Sequence, residues 1–212
     1  MTGSTPSYRS ELDIFSNFPT DISVVASDFQ AYYPTSSYKE NENPLEFHIS
    51  GNGTHYLDLN SSYLYVKAKI VKQDGADLAA TDKVAPGNLF LSTMFENCYV
   101  SANGTQISDS ANFYPYQSWI QKQLSFGESY KKTELSSEMY YKDTIGADDY
   151  TDNNQGFKAR LGLAAESKPF ELIGRINASI FQQKRYIPTN VDLNVILRRS
   201  SPKFALSTLR QR

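Results

Sequence analysis

Residues that carry chemistry are scarce in this chain of 212 residues, which has one cysteine, Cys98, and two histidines, His48 and His55. A lone cysteine excludes an intrachain disulfide and points to folding in a reducing compartment. One Cys and two His do not make the three or four converging ligands of a zinc site. No histidine follows His55, so the histidine-rich metal set of a cupin-type enzyme is missing as well. The chain has no G-x-S-x-G elbow, P-loop or Rossmann glycine pattern. Its Gly51-Asn52-Gly53 turn is expected to join strand to strand, which offers a phosphate no helix N-terminus. The expectation is a protein without catalytic residues, metal or cofactor.

Charge of one sign and long apolar runs are also lacking. A formal charge of −2 gives no basic stripe of the kind a nucleic-acid binder carries. The basic residues near the end (Arg198, Arg199, Lys203, Arg210, Arg212) read as a soluble tail. No apolar run approaches the roughly 18–20 residues that span a bilayer, and the start, MTGSTPSYRSELD, lacks the basic and apolar parts of a secretory signal. Neither a membrane nor nucleic acid is therefore expected as a partner. The Asn-X-Ser/Thr triplets at Asn52, Asn60, Asn103 and Asn177 read as turn chemistry. Asp148, Asp149 and Asp152 read as a solvated loop, since EF-hand spacing is absent.

What the chain does have is strand periodicity, clearest from Pro44 to Lys72. Leu64, Val66, Ala68 and Ile70 alternate with Tyr63, Tyr65, Lys67 and Lys69, the period of two of a half-buried strand. Gly51 and Gly53 permit positive φ before it, and the stretch reads as one edge of an antiparallel sheet. The outward Tyr63, Tyr65, Lys67 and Lys69 read equally as an interface, where Tyr is enriched, or as a plain exposed face. Residues 1–43, polar with short apolar pieces (Leu12–Phe15, Ile22–Ala26, Phe29–Tyr33), read as an arm that docks on its own domain or on a neighbour.

Residues 73–88 read as a loop, and Leu89–Phe95 and Cys98–Ala102 as strands. Asn103-Gly104 is the strongest short hairpin signal, because a type I′ turn needs φ > 0 at both positions. From Phe113 to Leu124 the period changes: Tyr116, Trp119, Ile120 and Leu124 form one helical stripe, with Asn112 as cap, Pro115 in the first turn and Gly127 as stop. A second helix is expected over Glu128–Lys142, then a loop over 146–156 and a strand over 157–165. Two further alternating strands follow, on Phe170, Leu172, Gly174, Ile176, Ala178 and Ile180, and on Val191, Leu193, Val195 and Leu197. About eight antiparallel strands with a helical insertion near 113–142 predict a mainly-β sandwich of Greek-key, jelly-roll type. The expected organisation is an arm over 1–43, a jelly roll over 44–200 and a basic tail over 201–212.

In order and spacing, SELDIFSNFPT (10–20), PLEFHISGNGTHYLDLNSSYLYVKAKIVK (44–72), NCYVSANGTQIS (97–108), PYQSWIQKQLSF (115–126) and RYIPTNVDLNVILRRSS (185–201) resemble the major capsid proteins of Polinton/Maverick elements and adintoviruses. That family belongs to the double jelly-roll class. The resemblance implies a shell protein of the virion with two jelly rolls per chain and three chains per capsomer. Its implied partners are its own copies, a second jelly-roll segment and minor capsid or penton proteins; it implies no catalysis. The strands here suffice for one roll, so the chain is either the first roll of such a protein or an independent single-roll version. A rival expectation from another class is a lectin-like β-sandwich that takes ligand on loops such as 73–88 or 143–156. That reading needs aromatic residues in a concave loop, and these loops carry few.

Overall fold

The computed structural model describes residues 24–36, 44–145 and 153–208. The chain divides into two compact units, Met1–Ala31 and Tyr32–Arg212. In the first, residues 24–31 carry neither helix nor strand. Residues 1–23 and 37–43 of the expected arm, the aspartates at 148, 149 and 152, and the last residues of the expected tail lie outside the described residues.

Among the described residues the second unit has eight strands: β1 (Leu45–Ile49), β2 (Leu64–Ala68), β3 (Val84–Pro86), β4 (Phe95–Ala102), β5 (Thr105–Asp109), β6 (Phe170–Gly174), β7 (Leu193–Arg199) and β8 (Leu206–Thr208). Helices are α1 (Phe90–Thr93), α2 (Tyr114–Ser125), α3 (Glu128–Lys132), α4 (Gln155–Ala164) and α5 (Pro202–Ala205). All pairings are antiparallel: a four-stranded sheet in the order β1-β7-β4-β5, and the pairs β2-β6 and β3-β8. The nested pairing, β1 with β7 and then β2 with β6, is what winding an antiparallel ribbon into a roll produces. The inner faces of the two sheets meet in one core cluster, Cys98, Val100, Leu193, Val195 and Leu197 from one and Leu64, Phe170 and Leu172 from the other. The fold is a mainly-β sandwich of jelly-roll type, as the alternation predicts.

Register follows from side-chain pattern. In β7, Leu193, Val195 and Leu197 are buried and alternate with partly exposed residues. β4 buries Phe95 but then Cys98 and Val100, a change of parity; the pairing with β7 slips between Phe95 and Asn97, and an extra residue in one strand moves later side chains to the other face. The β4–β5 hairpin turns at Asn103 (φ 48°) and Gly104 (φ 76°), the positive pair a type I′ turn requires.

Several expectations are corrected. β1 and β2 do not share a sheet edge; each pairs with a distant strand. The segment Leu89–Phe95 is helical at Phe90–Thr93, because Leu89 adopts φ 57° and the chain turns before β4. A short apolar run fits helix or strand equally. Residues 73–88 hold β3, with Pro86 as its last residue. Residues 157–165 are not a strand but most of α4: the Asn154 side chain accepts from the Gly156 and Phe157 N–H groups, and buried Phe157, Arg160 and Ala164 fall at helical spacing. The expected helix over 128–142 breaks into α3 and a 3-10 turn at Glu134–Glu138, which ends at Met139 with φ 63°. The strand from Phe170 stops at Gly174, and Ser179–Gln182 is a 3-10 turn. Asn112 does not cap α2; Phe113 does, without a side-chain hydrogen bond, and Gly127 precedes α3 instead of closing α2. Pro202–Thr208, inside the expected tail, forms α5 and β8, and β8 pairs with β3.

Candidate interaction surface

Helix α2 is packed with its only charge inward and its apolar stripe outward. Its buried residues are Tyr114, Pro115, Ser118 and Lys122. Pro115 stands in the first turn, where its missing N–H is harmless. The Tyr114 hydroxyl accepts from the Asn177 N–H at 3.1 Å, and burial pushes its pKa well above the usual tyrosine value. Lys122 forms a buried ion pair with Glu138, and its Nζ lies 3.5 Å from the Ser92 hydroxyl. Burial pushes the Lys122 ammonium down and the Glu138 carboxyl up, each opposed by the other's charge. Gly174 of β6 sits against the Glu138 side chain, where a Cβ would clash. Beside the helix start, the Ser110 hydroxyl donates to Asn97 Oδ1 at 2.7 Å and accepts from the Cys98 N–H at 2.8 Å, while Asn97 Nδ2 donates to Asn112 Oδ1 at 3.1 Å.

The helical stripe of Tyr116, Trp119, Ile120 and Leu124 faces out. Tyr116, Ile120 and Leu124 are 55%, 57% and 82% exposed, with Trp119 at the margin of exposure. This orientation has a physical reason: the inward face fits closely against β4 and α1, and it uses a serine with 0% exposure, a proline and a hydrogen-bonded tyrosine to do so. The outer face is Tyr116, Gln117, Trp119, Ile120, Gln123 and Leu124, without a charge. Phe113 and Phe204 extend it. Tyr116 meets Phe204 at 5.7 Å between ring centroids, and Trp119 meets Tyr140 at 5.8 Å. A shallow cleft of about 240 Å³ lies beside the helix start, lined by Glu96, Asn112, Tyr116, Ser200, Ser201 and Phe204.

A second exposed face is the outside of β2-β6. Tyr63, Tyr65, Lys67 and Lys69 all point outward, as the alternation requires. Arg175 stacks over the Tyr63 ring at 5.8 Å, and Ile173 is exposed beside them. Lys67 pairs with Glu171 and Lys69 with Asp77, each at 3.1 Å. These pairs are solvated, which makes this face more polar than the outside of α2.

The residues weighed for metal chemistry stay apart. His48 is exposed on β1 opposite Asn194. His55 Nδ1 lies in a surface turn, 3.0 Å from Asn52 Nδ2 and 2.7 Å from Thr54 Oγ1. Cys98 is buried in the core, which pushes its thiol up to about 12. Among the described residues no three His, Cys, Asp or Glu side chains come together as a metal site, and no helix is long and apolar enough to cross a membrane. The sequence reading missed Lys122 and Glu138. Their one signal is a lone cation on the same helical face as Tyr114 and Ser118.

No protein-family model matches the chain. It is similar to a protein of Caenorhabditis elegans named "Uncharacterized protein F54H12.2", 22% identical over 173 residues, 78% of this chain. The match spans 39% of that relative's length.

Proposed function

We propose that this chain is a structural, capsid-type subunit, the N-terminal jelly roll of a Polinton- or adintovirus-like major capsid protein, and that its work is self-association. The observation that carries the proposal is the uncharged, aromatic outer face of α2, held on a rigid roll by a buried ion pair. Such a face serves contact with protein better than contact with water. The resemblance of the chain's motifs to that family supports the same reading, with a trimeric capsomer as the expected assembly, the virion as its place and no catalysis. Sandwiches host many functions, so the reading rests on the face and the motifs. A lectin-like module is the second reading, favoured by one feature, the cleft in which Tyr116 and Phe204 stand beside Asn112, Ser200 and Ser201.

The test is sedimentation and negative-stain electron microscopy of the expressed chain, alone and with a downstream jelly-roll segment supplied. Discrete trimers or larger closed assemblies are the expected result. A protein that stays monomeric in both mixtures and binds a glycan stoichiometrically, with the binding lost in Tyr116→Ala, belongs to the second reading.

A further inference from the structure

The outer face of α2 is spaced evenly about Ile120, with two carboxamides at matching positions and large residues set opposite different ones. Tyr116 and Leu124 lie four residues either side of it, and Gln117 and Gln123 three residues either side. Just beyond the helix, Phe113 and Gly127 stand seven residues either side, and nothing lies within 4 Å of where a Gly127 Cβ would be. A two-fold axis brings residue i of one copy against residue j of the other, and j against i. An axis through Ile120 and perpendicular to α2 therefore sets Tyr116 against Leu124 of the second copy, twice. It also sets Gln117 against Gln123, where each carboxamide both donates and accepts, and it turns the bulky Phe113 ring toward open space at Gly127.

We propose that α2 is an isologous two-fold contact, packing antiparallel against α2 of a second copy with Ile120 on the axis. The area fits. Phe113, Tyr116, Trp119, Ile120, Leu124 and Phe204 together expose on the order of 600 Å². That is the most a monomer ordinarily leaves uncovered. Doubled by the two-fold it is on the order of 1,200 Å² in total, the lower bound of a specific, stable interface. The antiparallel arrangement sets the helix dipoles head to tail, and no charged side chain has to be desolvated on the helix face. This contact rests on the self-association proposed above and gives it a geometry.

Engineered cysteines read that geometry directly, because Cys98 is buried and is the only native cysteine. Ile120→Cys should form a disulfide-linked dimer with itself under mild oxidation. Leu124→Cys alone should not, since its two copies lie about 12 Å apart along the helices and a disulfide needs Cβ atoms within about 4.5 Å. Mixing Tyr116→Cys chains with Leu124→Cys chains should restore cross-linking. Ile120→Glu, exposed in the monomer and so harmless to folding, should raise the dimer dissociation constant about a hundredfold by placing two carboxylates on the axis. Cross-linking of Leu124→Cys with itself and not of Ile120→Cys would overturn the axis. An Ile120→Cys thiol that alkylates slowly at every protein concentration, including where the chain is monomeric, would mean another part of the same chain covers the face, and would overturn the second copy as occupant. Larger assemblies in which Ile120→Cys does not cross-link refute this contact and leave the capsid reading standing. A cross-linked dimer that never builds further supports the contact and counts against the capsid reading.

Discussion

The buried pair of Lys122 and Glu138 supplies the sharpest test of how α2 is held. Each side chain is nearly sealed from water, 6% and 7% exposed, so each ion has given up most of its hydration. Lys122→Met removes the cation and leaves Glu138 buried without a counter-charge; removing one partner of such a pair costs about 3–5 kcal/mol. The double substitution Lys122→Met with Glu138→Leu removes both charges from an apolar setting, and its stability should fall within about 1 kcal/mol of wild type or above it. Denaturant unfolding of the four proteins at neutral pH measures the cycle, provided the slopes agree. The pH dependence adds a second reading. Desolvation is the largest influence on the Glu138 carboxyl and raises it, while Lys122 opposes that rise; without Lys122 the rise is larger. A carboxyl raised on folding contributes stability that is fully present below its unfolded value near 4.5 and is lost as pH climbs through its folded value. The deficit of Lys122→Met should therefore shrink from about pH 8 toward pH 5. A loss below about 1 kcal/mol, or a deficit that does not change with pH, would mean that water reaches Glu138 and that the pair does not pin the helix.

Three further outcomes follow from local geometry. Gly104→Val should cost about 1–3 kcal/mol, because φ at that position is 76° and a β-branched residue is strained there; since the space around Gly104 is open, Gly104→Ala should lower the melting temperature too, and an unchanged value for both would refute the type I′ turn. Asn154→Ala removes the acceptor of the Gly156 and Phe157 N–H groups at the start of α4, and should cost about 1–2 kcal/mol by thermal or denaturant unfolding. Cys98, with its thiol pushed up to about 12 by burial, should alkylate only at the rate of global unfolding; fast labelling of the native protein would mean that the core between the sheets opens.

The strands were legible because their burial is one-sided. β6 and β7 bury every second residue, and β2 alternates buried or half-buried residues with exposed ones; a period of two states that directly. The hairpin at Asn103 was legible because few residue pairs tolerate two positive φ angles in succession. What the pattern could not state is which strand pairs with which. Pro44–Lys72 gave both β1 and β2, but their partners lie far along the chain at β7 and β6, and no local signal carries that information. Residues 157–165 failed for a different reason. Phe157, Ala159, Leu161 and Leu163 alternate as a strand would, yet Phe157, Arg160 and Ala164 are the residues buried. Arg160 enters the interior because its guanidinium is met by the carbonyls of Pro86 and Tyr141 and by Asp143, and an arginine so satisfied does not look like a core residue in a sequence.

Helix α2 shows how far an amphipathic pattern reaches. The stripe of Tyr116, Trp119, Ile120 and Leu124 is real, and the helix forms where its period says. A helical stripe states only that one face is apolar; it does not name what covers that face. The inward face is held in the core by the two side chains that find partners there: the Tyr114 hydroxyl meets the Asn177 N–H, and the Lys122 ammonium meets a carboxylate sixteen residues on. That answer is tertiary, so no window of sequence displays it. Its consequence is visible all the same. In a chain with 21% charged residues, sinking the helix's one lysine leaves the outer face of α2 with none, and an uncharged aromatic face on a folded unit keeps its advantage over a polar one only when another protein surface lies against it.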